Sequence, residues 1–406
     1  MKSVDIVIAA KNEERFLGRC LDSLAAQNYP QELIRVIVVD NGSCDNTANI
    51  AKGKGALLVQ KQGGTMGGLR NLGIRHGTGE LIGFMDAHCI AGPDWVKTMV
   101  ERFESPRAGF CQGTLTNICP HPLTQELSRG FVLIDDQTLW EYGVSGLRTP
   151  YPWATGGNCM YRRSAIEKLH GHDQSLFAAE DSDMSWRCIL AGYSLEYAPS
   201  ARLTHYDLNT PRTYLRKMFV YGRADALVAH KFGWLGKRER PTSSGSKRLF
   251  PHFQLLNLFS RLGYEYEHWR IKLGMIPAPK RYEPEAIATE LRATVQVDER
   301  RRLTIGPHVV YWFPTPDQAI VVKVRSKERF VLEGTAATIF HHLVHLGDRN
   351  AVLDAVIAEY DIAEDDAVVH VDSLIDSLAN EEVFVEEKMA VNADRRSQSR
   401  PVAIAR

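Results

Sequence analysis

The feature that most constrains this chain is a pattern repeated along its first part: a short apolar run, a polar cluster, and then an amphipathic segment. Val4 to Ala10 is such a run and ends in Lys-Asn-Glu-Glu, and Ile34 to Val39 ends in Asp-Asn-Gly-Ser. Ala56 to Gln60 and Leu81 to Met85 predict two more strands. Continuous apolar strands that alternate with helices indicate a parallel sheet covered on both faces. Because such sheets bind ligands where the carboxyl ends of their strands meet loops, the polar clusters predict the position of the functional site.

Length and composition narrow the class of protein. A chain of 406 residues exceeds the usual size of one hydrophobic core, so two domains are expected. Its 49 basic residues balance 49 acidic residues without a long block of either sign, which argues against binding to nucleic acid. The seven cysteines form no Cys-x-x-Cys pair, and neither a signal peptide nor a membrane span is evident. We therefore expect reduced thiols and a cytoplasmic location, with peripheral association with a membrane left open.

A possible metal site follows the fourth apolar run, at Asp86-Ala87-His88. Residues two apart on an extended chain point the same way, so Asp86 and His88 can bind one cation. The tripeptide fits equally well an aspartate that caps the next helix and a solvent-exposed histidine. His205 is a candidate third ligand, and its alternative is a structural histidine. Asp40, at the end of the second strand, can accept from a base or ribose, or can form an ordinary Asx turn.

A second acidic group lies at Glu180 and Asp181, which open a predicted helix. Two adjacent carboxylates repel each other, so one of them is expected to have a raised pKa and to be available as a general base. The alternative is that both simply interact favourably with the N-terminus of the helix.

Six segments in this order together resemble family 2 glycosyltransferases of the GT-A fold, over about Val4 to Phe232. They are residues 8–13 (IAAKNE), 39–45 (VDNGSCD), 68–71 (GLRN), 79–88 (GELIGFMDAH), 156–158 (GGN) and 179–183 (AEDSD). The resemblance implies an α/β fold with a doubly wound mixed sheet and a hexosyltransferase activity. It also implies a nucleotide-diphospho-sugar donor, of which a UDP-sugar is the first expectation, and a Mn²⁺ or Mg²⁺ ion.

The resemblance also assigns roles to individual residues. It implies that Asp40 holds the nucleotide base, that Ala10 to Glu13 line the same pocket, and that Arg70 faces the donor. It implies that Asp86 holds the metal and the diphosphate, and that Asp181, beside Glu180, supplies the catalytic base.

The Asp-x-His form differs from the more common Asp-x-Asp of this family. It is similar to the polypeptide N-acetylgalactosaminyltransferases, in which a distant histidine completes the metal site, and His205 matches that role. Acid-base logic favours inversion at the anomeric carbon, because Asp181 can deprotonate the acceptor while positive charge stabilises the departing diphosphate.

Residues 298–387 resemble a different family, the PqqD-like peptide-recognition domains of ribosomal peptide biosynthesis. The segments that carry the resemblance are residues 321–332, 334–343, 352–360 and 371–383. The resemblance implies a small α+β, winged-helix-like fold that binds a leader segment as an added strand. Hydrophobic spacing alone fits equally well an ordinary winged-helix module or a structural cap.

The sequence thus predicts a GT-A domain over 1–235, a helical extension and linker over 236–297, the PqqD-like domain over 298–387 and a disordered tail over 388–406. The function that follows is glycosylation of a Ser, Thr or Cys side chain of a ribosomally made peptide held by the C-terminal domain. Two alternatives stay open at this point: sugar transfer to a cell-envelope polysaccharide or lipid-linked glycan, and a non-catalytic peptide-binding scaffold.

Overall fold

The computed structural model of the chain describes residues 1–125, 151–233, 251–315 and 317–386. Residues 236–250 of the predicted helical extension and linker and the predicted disordered tail at 388–406 lie outside these ranges. The elements up to residue 233 are, in chain order, β1 (Val4–Ala10), α1 (Leu17–Ala25), β2 (Ile34–Asp40), α2 (Thr47–Gly53), β3 (Leu57–Gln60), α3 (Met66–His76), β4 (Leu81–Met85), β5 (Cys89–Ala91), α4 (Trp95–Val100), β6 (Ala108–Ile118), β7 (Asn158–Arg162), α5 (Arg163–Lys168), α6 (Glu180–Leu190), β8 (Ser194–Tyr206) and α7 (Pro211–Phe232).

The remaining elements follow residue 250. They are α8 (Pro251–Lys272), β9 (Thr294–Gln296), β10 (Arg302–Ile305), β11 (Val309–Thr315), β12 (Gln318–Lys323), β13 (Glu328–Glu333), α9 (Thr335–Leu346), α10 (Arg349–Tyr360), α11 (Glu364–Asn380) and β14 (Phe384–Glu386). Within the described ranges, no helix is long and apolar enough to cross a membrane.

Eight strands form one mixed sheet in the order β3-β2-β1-β4-β7-β6-β8-β5. β1 is parallel to β2 and to β4, and β2 is parallel to β3. The parallel arrangement predicted from the repeat therefore holds for the first four strands. Beyond these strands the pairing is mixed, because β7 is antiparallel to β4 and β6 and β5 is antiparallel to β8, whereas β6 is parallel to β8. A mixed sheet with helices is the arrangement that the family resemblance implied.

Alternate side chains of β1 show how both faces of this sheet are covered. Ile6 and Ile8 belong to one buried core, together with Leu17 of α1 and Trp95 of α4. Val7 belongs to a second core on the other face, together with residues of α3 and α6. All four named side chains of the first core are at most 1% exposed. The sheet is thus fixed on both sides, which holds the carboxyl ends of its strands in place.

Helices α7 and α8 pack closely against each other where glycine replaces a side chain. A Cβ on Gly222 would lie 1.8 Å from the carbonyl oxygen of Ser260, so only glycine permits this approach. Contacts continue along both helices in the same direction, since Arg223 pairs with Glu267 at 2.8 Å and His230 contacts His268. The two helices therefore run parallel to each other, and α8 lies in the range over which the sequence predicted a helical extension.

The C-terminal part contains a three-stranded sheet and three helices, in keeping with the small α+β fold expected there. Strands β11, β12 and β13 form an antiparallel sheet in that order, and α9, α10 and α11 pack on it around one buried core. The predicted last strand is β14, which pairs with β10. Strands β9 and β10, which complete this second small sheet, were not predicted because each is only three or four residues long.

The small sheet also packs against the large one, through the face of β11 and β12 that points away from the C-terminal helices. Trp312 and Ile320 share a buried core with Tyr193 and residues of α6. Beside them the guanidinium of Arg107 stacks on the ring of Tyr311, 3.8 Å from its centre. Alternate residues of β12 therefore belong to two different cores, which makes this strand the structural link between the two halves of the chain.

We expect Ile320→Ala to destabilise the whole chain, because this side chain is 1% exposed and fills the core between the two halves. Loss of a buried isoleucine typically lowers the free energy of unfolding by about 2–5 kcal/mol. Urea unfolding followed by circular dichroism measures the change. Val331→Ala on the neighbouring strand is the matched control, since Val331 is 45% exposed and should change the free energy by no more than about 0.5 kcal/mol. Equal effects of both variants would contradict a shared core.

Candidate functional site

Asp86, His88 and His205 come together at one end of the large sheet. The Nε2 atoms of His88 and His205 are 3.0 Å apart, and Nε2 of His205 is 3.8 Å from Oδ2 of Asp86. One ligand atom from each residue lies within 4.8 Å of the others. Two imidazoles and one carboxylate are a suitable donor set for a divalent transition metal. The structure thus brings together the three residues that the sequence proposed as metal ligands.

The pairing of strands explains this convergence. Asp86 directly follows β4, and His88 directly precedes β5. Strand β5 pairs with β8 so that Cys89 lies opposite His205, and the amide of Tyr206 donates to the carbonyl of His88 at 3.1 Å. The two histidines, 117 residues apart in the sequence, are therefore adjacent because of a backbone register.

A glycine-rich loop covers the carboxylate. A Cβ on Gly157 would lie 2.9 Å from Oδ2 of Asp86, so a larger residue would displace the aspartate. The next residue, Asn158, anchors the loop: its Oδ1 accepts from the indole of Trp95 at 2.8 Å, and its Nδ2 donates to the carbonyl of Thr114 at 2.8 Å. Gly157 thus allows the backbone of the loop to lie close to Asp86, and Asn158 holds the loop in that position.

The three groups differ in their affinity for protons. Burial lowers the pKa of His205 to about 4. Burial also opposes the charge on His88, but its hydrogen bond to Glu13 and the charge of Asp86 outweigh that effect and raise its pKa. For Asp86, burial is outweighed by the two histidines, and the pKa is lowered. Loss of the His88 proton would leave all three groups in the forms that bind metals.

Glu13 has a role that the sequence did not suggest. Its Oε1 lies 3.0 Å from Nδ1 of His88, which leaves Nε2 directed at His205. Its own backbone amide donates to Oγ1 of Thr47 at 2.8 Å. A carboxylate that holds the far nitrogen of an imidazole is the usual way in which proteins orient a metal-binding histidine.

The predicted base pocket lies at the end of β2. Asp40 is 1% exposed, and its Oδ1 accepts from the amide of Ser43, three residues further along, at 3.1 Å. The carbonyl of Ala10 accepts from the amide of Asn41 at 2.8 Å, so the ends of β1 and β2 are joined. Gln60 Nε2 lies 3.4 Å from the other oxygen of Asp40. The structure brings these residues together, and the contact of Asp40 with a base stays a prediction.

Arg70 and Glu180 form a buried ion pair beneath the glycine loop. Nη1 of Arg70 donates to Oε1 of Glu180 at 2.6 Å, and Nη2 donates to the carbonyl of Gly156 at 2.9 Å. Both side chains are less than 10% exposed. The guanidinium predicted to face the donor is therefore committed to protein groups, and it positions the loop.

The acidic pair divides into two different environments. Burial raises the pKa of Glu180, so this is the member of the pair that matches the predicted shift, yet Arg70 occupies its carboxylate. Asp181 is only half buried, and its Oδ2 accepts from the amide of Gly156 at 3.0 Å. Of the two, Asp181 is the carboxylate that an acceptor could reach.

Lys217 on α7 is a site residue that sequence reasoning missed. Its Nζ lies 3.4 Å from Oδ2 of Asp207 and 5.7 Å from the ring centre of Tyr221. Burial opposes its charge, but Tyr221, Asp207 and Asp86 outweigh that effect and raise its pKa, so it stays cationic. The basic, aromatic character of α7 was the available signal, but it did not show which residue faces the site.

The first part of the chain matches a known protein family. Residues 5–170 match the family described as Glycosyl transferase family 2. The resemblance inferred from the motifs is therefore confirmed over this range, which is shorter than the predicted Val4 to Phe232. No part of residues 298–387 lies in the matched range, so their PqqD-like character stays a prediction.

Individual relatives agree with the family match. An N-acetylglucosaminyltransferase of Sinorhizobium fredii is 28% identical over 252 residues, which are 56% of this chain and 59% of that protein. A pre-mycofactocin glycosyltransferase of Mycobacterium tuberculosis is 24% identical over 238 residues, which are 56% of this chain and 48% of that protein. The chain thus spans between about half and three-fifths of the length of these two relatives.

Among solved structures, mannosyltransferase PcManGT of Pyrobaculum calidifontis, in complex with GDP-Man and Mn²⁺, is 20% identical with a TM-score of 0.46, over 68% of this chain and 77% of that one.

We predict that Glu13→Gln weakens the binding of Mn²⁺. A neutral amide orients the imidazole of His88 less firmly than a carboxylate does, and it places no negative charge beside the ring. Loss of such a partner typically costs about 10–100-fold in metal affinity. Isothermal titration with MnCl₂ in the absence of any donor measures it directly. Glu14→Gln is the control, since the carboxylate of Glu14 accepts from the amide of Asn46 instead. Unchanged affinity in Glu13→Gln would show that the contact with His88 has no part in metal binding.

Proposed function

We propose that the family 2 domain makes this chain a metal-dependent glycosyltransferase, which moves a sugar from a nucleotide-diphosphate donor to an acceptor. The observation that carries the proposal is the loop Gly156-Gly157. One of its glycines lies against Asp86 in the metal-binding group, and the other donates to Asp181. A cation-binding group and a reachable carboxylate are therefore held side by side, as transfer from a diphosphate leaving group requires.

Asp86, His88 and His205 would hold the cation, whose chemistry is to neutralise charge on the diphosphate. Two imidazole nitrogens suit Mn²⁺ better than Mg²⁺, which prefers oxygen ligands throughout. Lys217 adds a permanent positive charge close to Asp86. Asp40 and Glu13 line the approach from β1 and β2, where the nucleoside part of the donor is proposed to lie.

Asp181 is proposed as the base that takes the proton from the acceptor. The amide of Gly156 and the amide of Ser182 each donate to one of its oxygens, at 3.0 and 2.8 Å, so the carboxylate is held in a fixed orientation. Direct attack by an acceptor activated in this way inverts the anomeric carbon. The buried pair of Arg70 and Glu180 lies behind it and fixes the loop on which both functions depend.

The acceptor is proposed to be a Ser, Thr or Cys side chain of a ribosomally made peptide. The support is the small C-terminal sheet, in which β13 pairs with β12 on one side and has no described strand on the other. An open strand edge can bind an extended peptide through its backbone groups.

We predict that Asp181→Asn lowers kcat for sugar transfer by about 10²–10⁴-fold while donor binding is retained, because the amide keeps the shape and loses the base. Mass spectrometry of peptide incubated with UDP-sugars and Mn²⁺ measures transfer, and titration with UDP measures binding. Ser182→Ala is the control for local disturbance of α6. Full activity in Asp181→Asn would exclude this residue as the base.

Peptide capture is tested by Val331→Asp, which places a charge in the middle of the open strand. We expect affinity for a leader peptide to fall at least about tenfold, while hydrolysis of the donor is unchanged. Fluorescence anisotropy with labelled candidate leaders measures the affinity. Leu346→Asp, at the end of α9, is the matched control, since Leu346 is 46% exposed and Val331 is 45% exposed. Removal of the whole domain is a poorer test, because it would expose the apolar face of β11 and β12.

A further inference from the structure

Helix α8 carries a continuous exposed apolar stripe that the proposed activity does not use. Its side chains are between 39% and 68% exposed. They are Leu255, Leu258, Leu262, Tyr266, Trp269 and Leu273. Large apolar side chains exposed in a row, rather than singly, mark a surface that contacts something else.

All six side chains lie on one side of the helix. At 100° per residue their spacings of three and four residues keep them within an arc of about 80°, along roughly 27 Å of helix. The opposite side of α8 is the one that packs on α7, through Ser260, Gly263 and Glu267. The stripe is therefore a second face, and of its six side chains Tyr266 also borders the contact between the two helices, with its ring centre 5.8 Å from that of Phe219.

The spacing favours a flat partner over a second helix. Leu255, Leu258 and Leu262 are repeated eleven residues later by Tyr266, Trp269 and Leu273. An eleven-residue repeat has about 3.67 residues per turn, close to the 3.6 of a straight helix, so the stripe runs along the helix almost without drift. Left-handed pairing with another helix requires about 3.5 residues per turn.

Aromatic and charged residues identify the chemistry of that partner. Tyr266 and Trp269 are each about half exposed within the stripe. Three charged residues lie along one border of the stripe, the exposed Arg261 and Lys272 and the half-buried Glu265, so two of the three are basic. Nζ of Lys272 is 5.3 Å from the ring of Trp269. Leucine and aromatic side chains on one face, with basic side chains at its border, are typical of helices that lie in the interface of an anionic membrane.

We propose that α8 binds the surface of an anionic lipid bilayer through this stripe, with Arg261 and Lys272 directed at lipid head groups. The helix would lie parallel to the membrane plane, with Leu and Trp side chains inserted between head groups. Since α7 packs on the other face of α8 and also carries Lys217, binding would place the catalytic site at a fixed distance from the membrane. The inference is independent of which acceptor the enzyme uses.

The test is flotation of the full chain with vesicles of phosphatidylcholine, with or without phosphatidylglycerol. We expect binding to the mixed vesicles at low salt and a fall of about tenfold or more in Leu262→Ser/Trp269→Ser. Arg261→Gln/Lys272→Gln should lose most of the preference for phosphatidylglycerol while keeping the apolar stripe. Val369→Ser, which removes a 64% exposed valine from α11, should bind as the unaltered chain does.

Light scattering without vesicles distinguishes lipid from a second copy of the chain. A monomer in solution that floats with anionic vesicles supports the proposal. A dimer that Leu262→Ser/Trp269→Ser converts to a monomer, without flotation of either form, would overturn it. Equal flotation of the unaltered chain and the double variant would also overturn it, and a thermal unfolding midpoint shared by the two forms shows that the variant is folded.

Discussion

The antiparallel pairing of β5 with β8 is the constraint on which the candidate site depends. It brings His205 beside His88, although 117 residues separate them, through hydrogen bonds between backbone groups that do not involve the side chains. Burial on both faces of the sheet then holds the register, because a slip of one residue would turn Cys89 and Leu203, both fully buried, towards the other face. The apolar core therefore fixes the relative positions of the side chains of Asp86, His88 and His205.

The buried ion pair of Arg70 and Glu180 holds the glycine loop in place beside Asp181. Placing Arg70 and Glu180 in the interior has a desolvation cost that their attraction only partly offsets, so the pair is weak evidence for stability. Its geometric effect is clearer. Because Arg70 also donates to the carbonyl of Gly156, the same guanidinium that neutralises Glu180 fixes the loop beside Asp181. Further along α6, Lys231 and Arg187 neutralise the carboxylate of Asp183. Asp181 is therefore the half-buried, reachable carboxylate of this segment.

The features that depend on residues close together in the sequence were predicted, and those that depend on contacts between distant residues were missed. The strands, the Asp86-x-His88 pair and the helices of the C-terminal half follow from spacing within a few residues. The orientation of Arg70 could not be predicted, because its partners Glu180 and Gly156 are 110 and 86 residues away. Glu13 and Lys217 were missed as parts of the metal-binding region for the same reason: a polar loop and a basic helix are common, and only the folded chain shows which of their members face Asp86.

The two-sided burial of β12 limits how an acceptor could reach Asp181, the proposed base. Ile320 lies in the core shared with the large sheet, whereas Val321 lies in the core of the C-terminal helices, so this strand allows little independent movement of the small sheet. A domain on a flexible linker would raise the local concentration of acceptor over a wide volume. Here the open edge of β13 is held at one distance and direction from Asp181. If a peptide binds that edge, the number of residues between its bound segment and its reacting side chain must match that distance. Selection among acceptor positions would then follow from the length of the connecting segment, without a sequence-specific contact at the reacting residue.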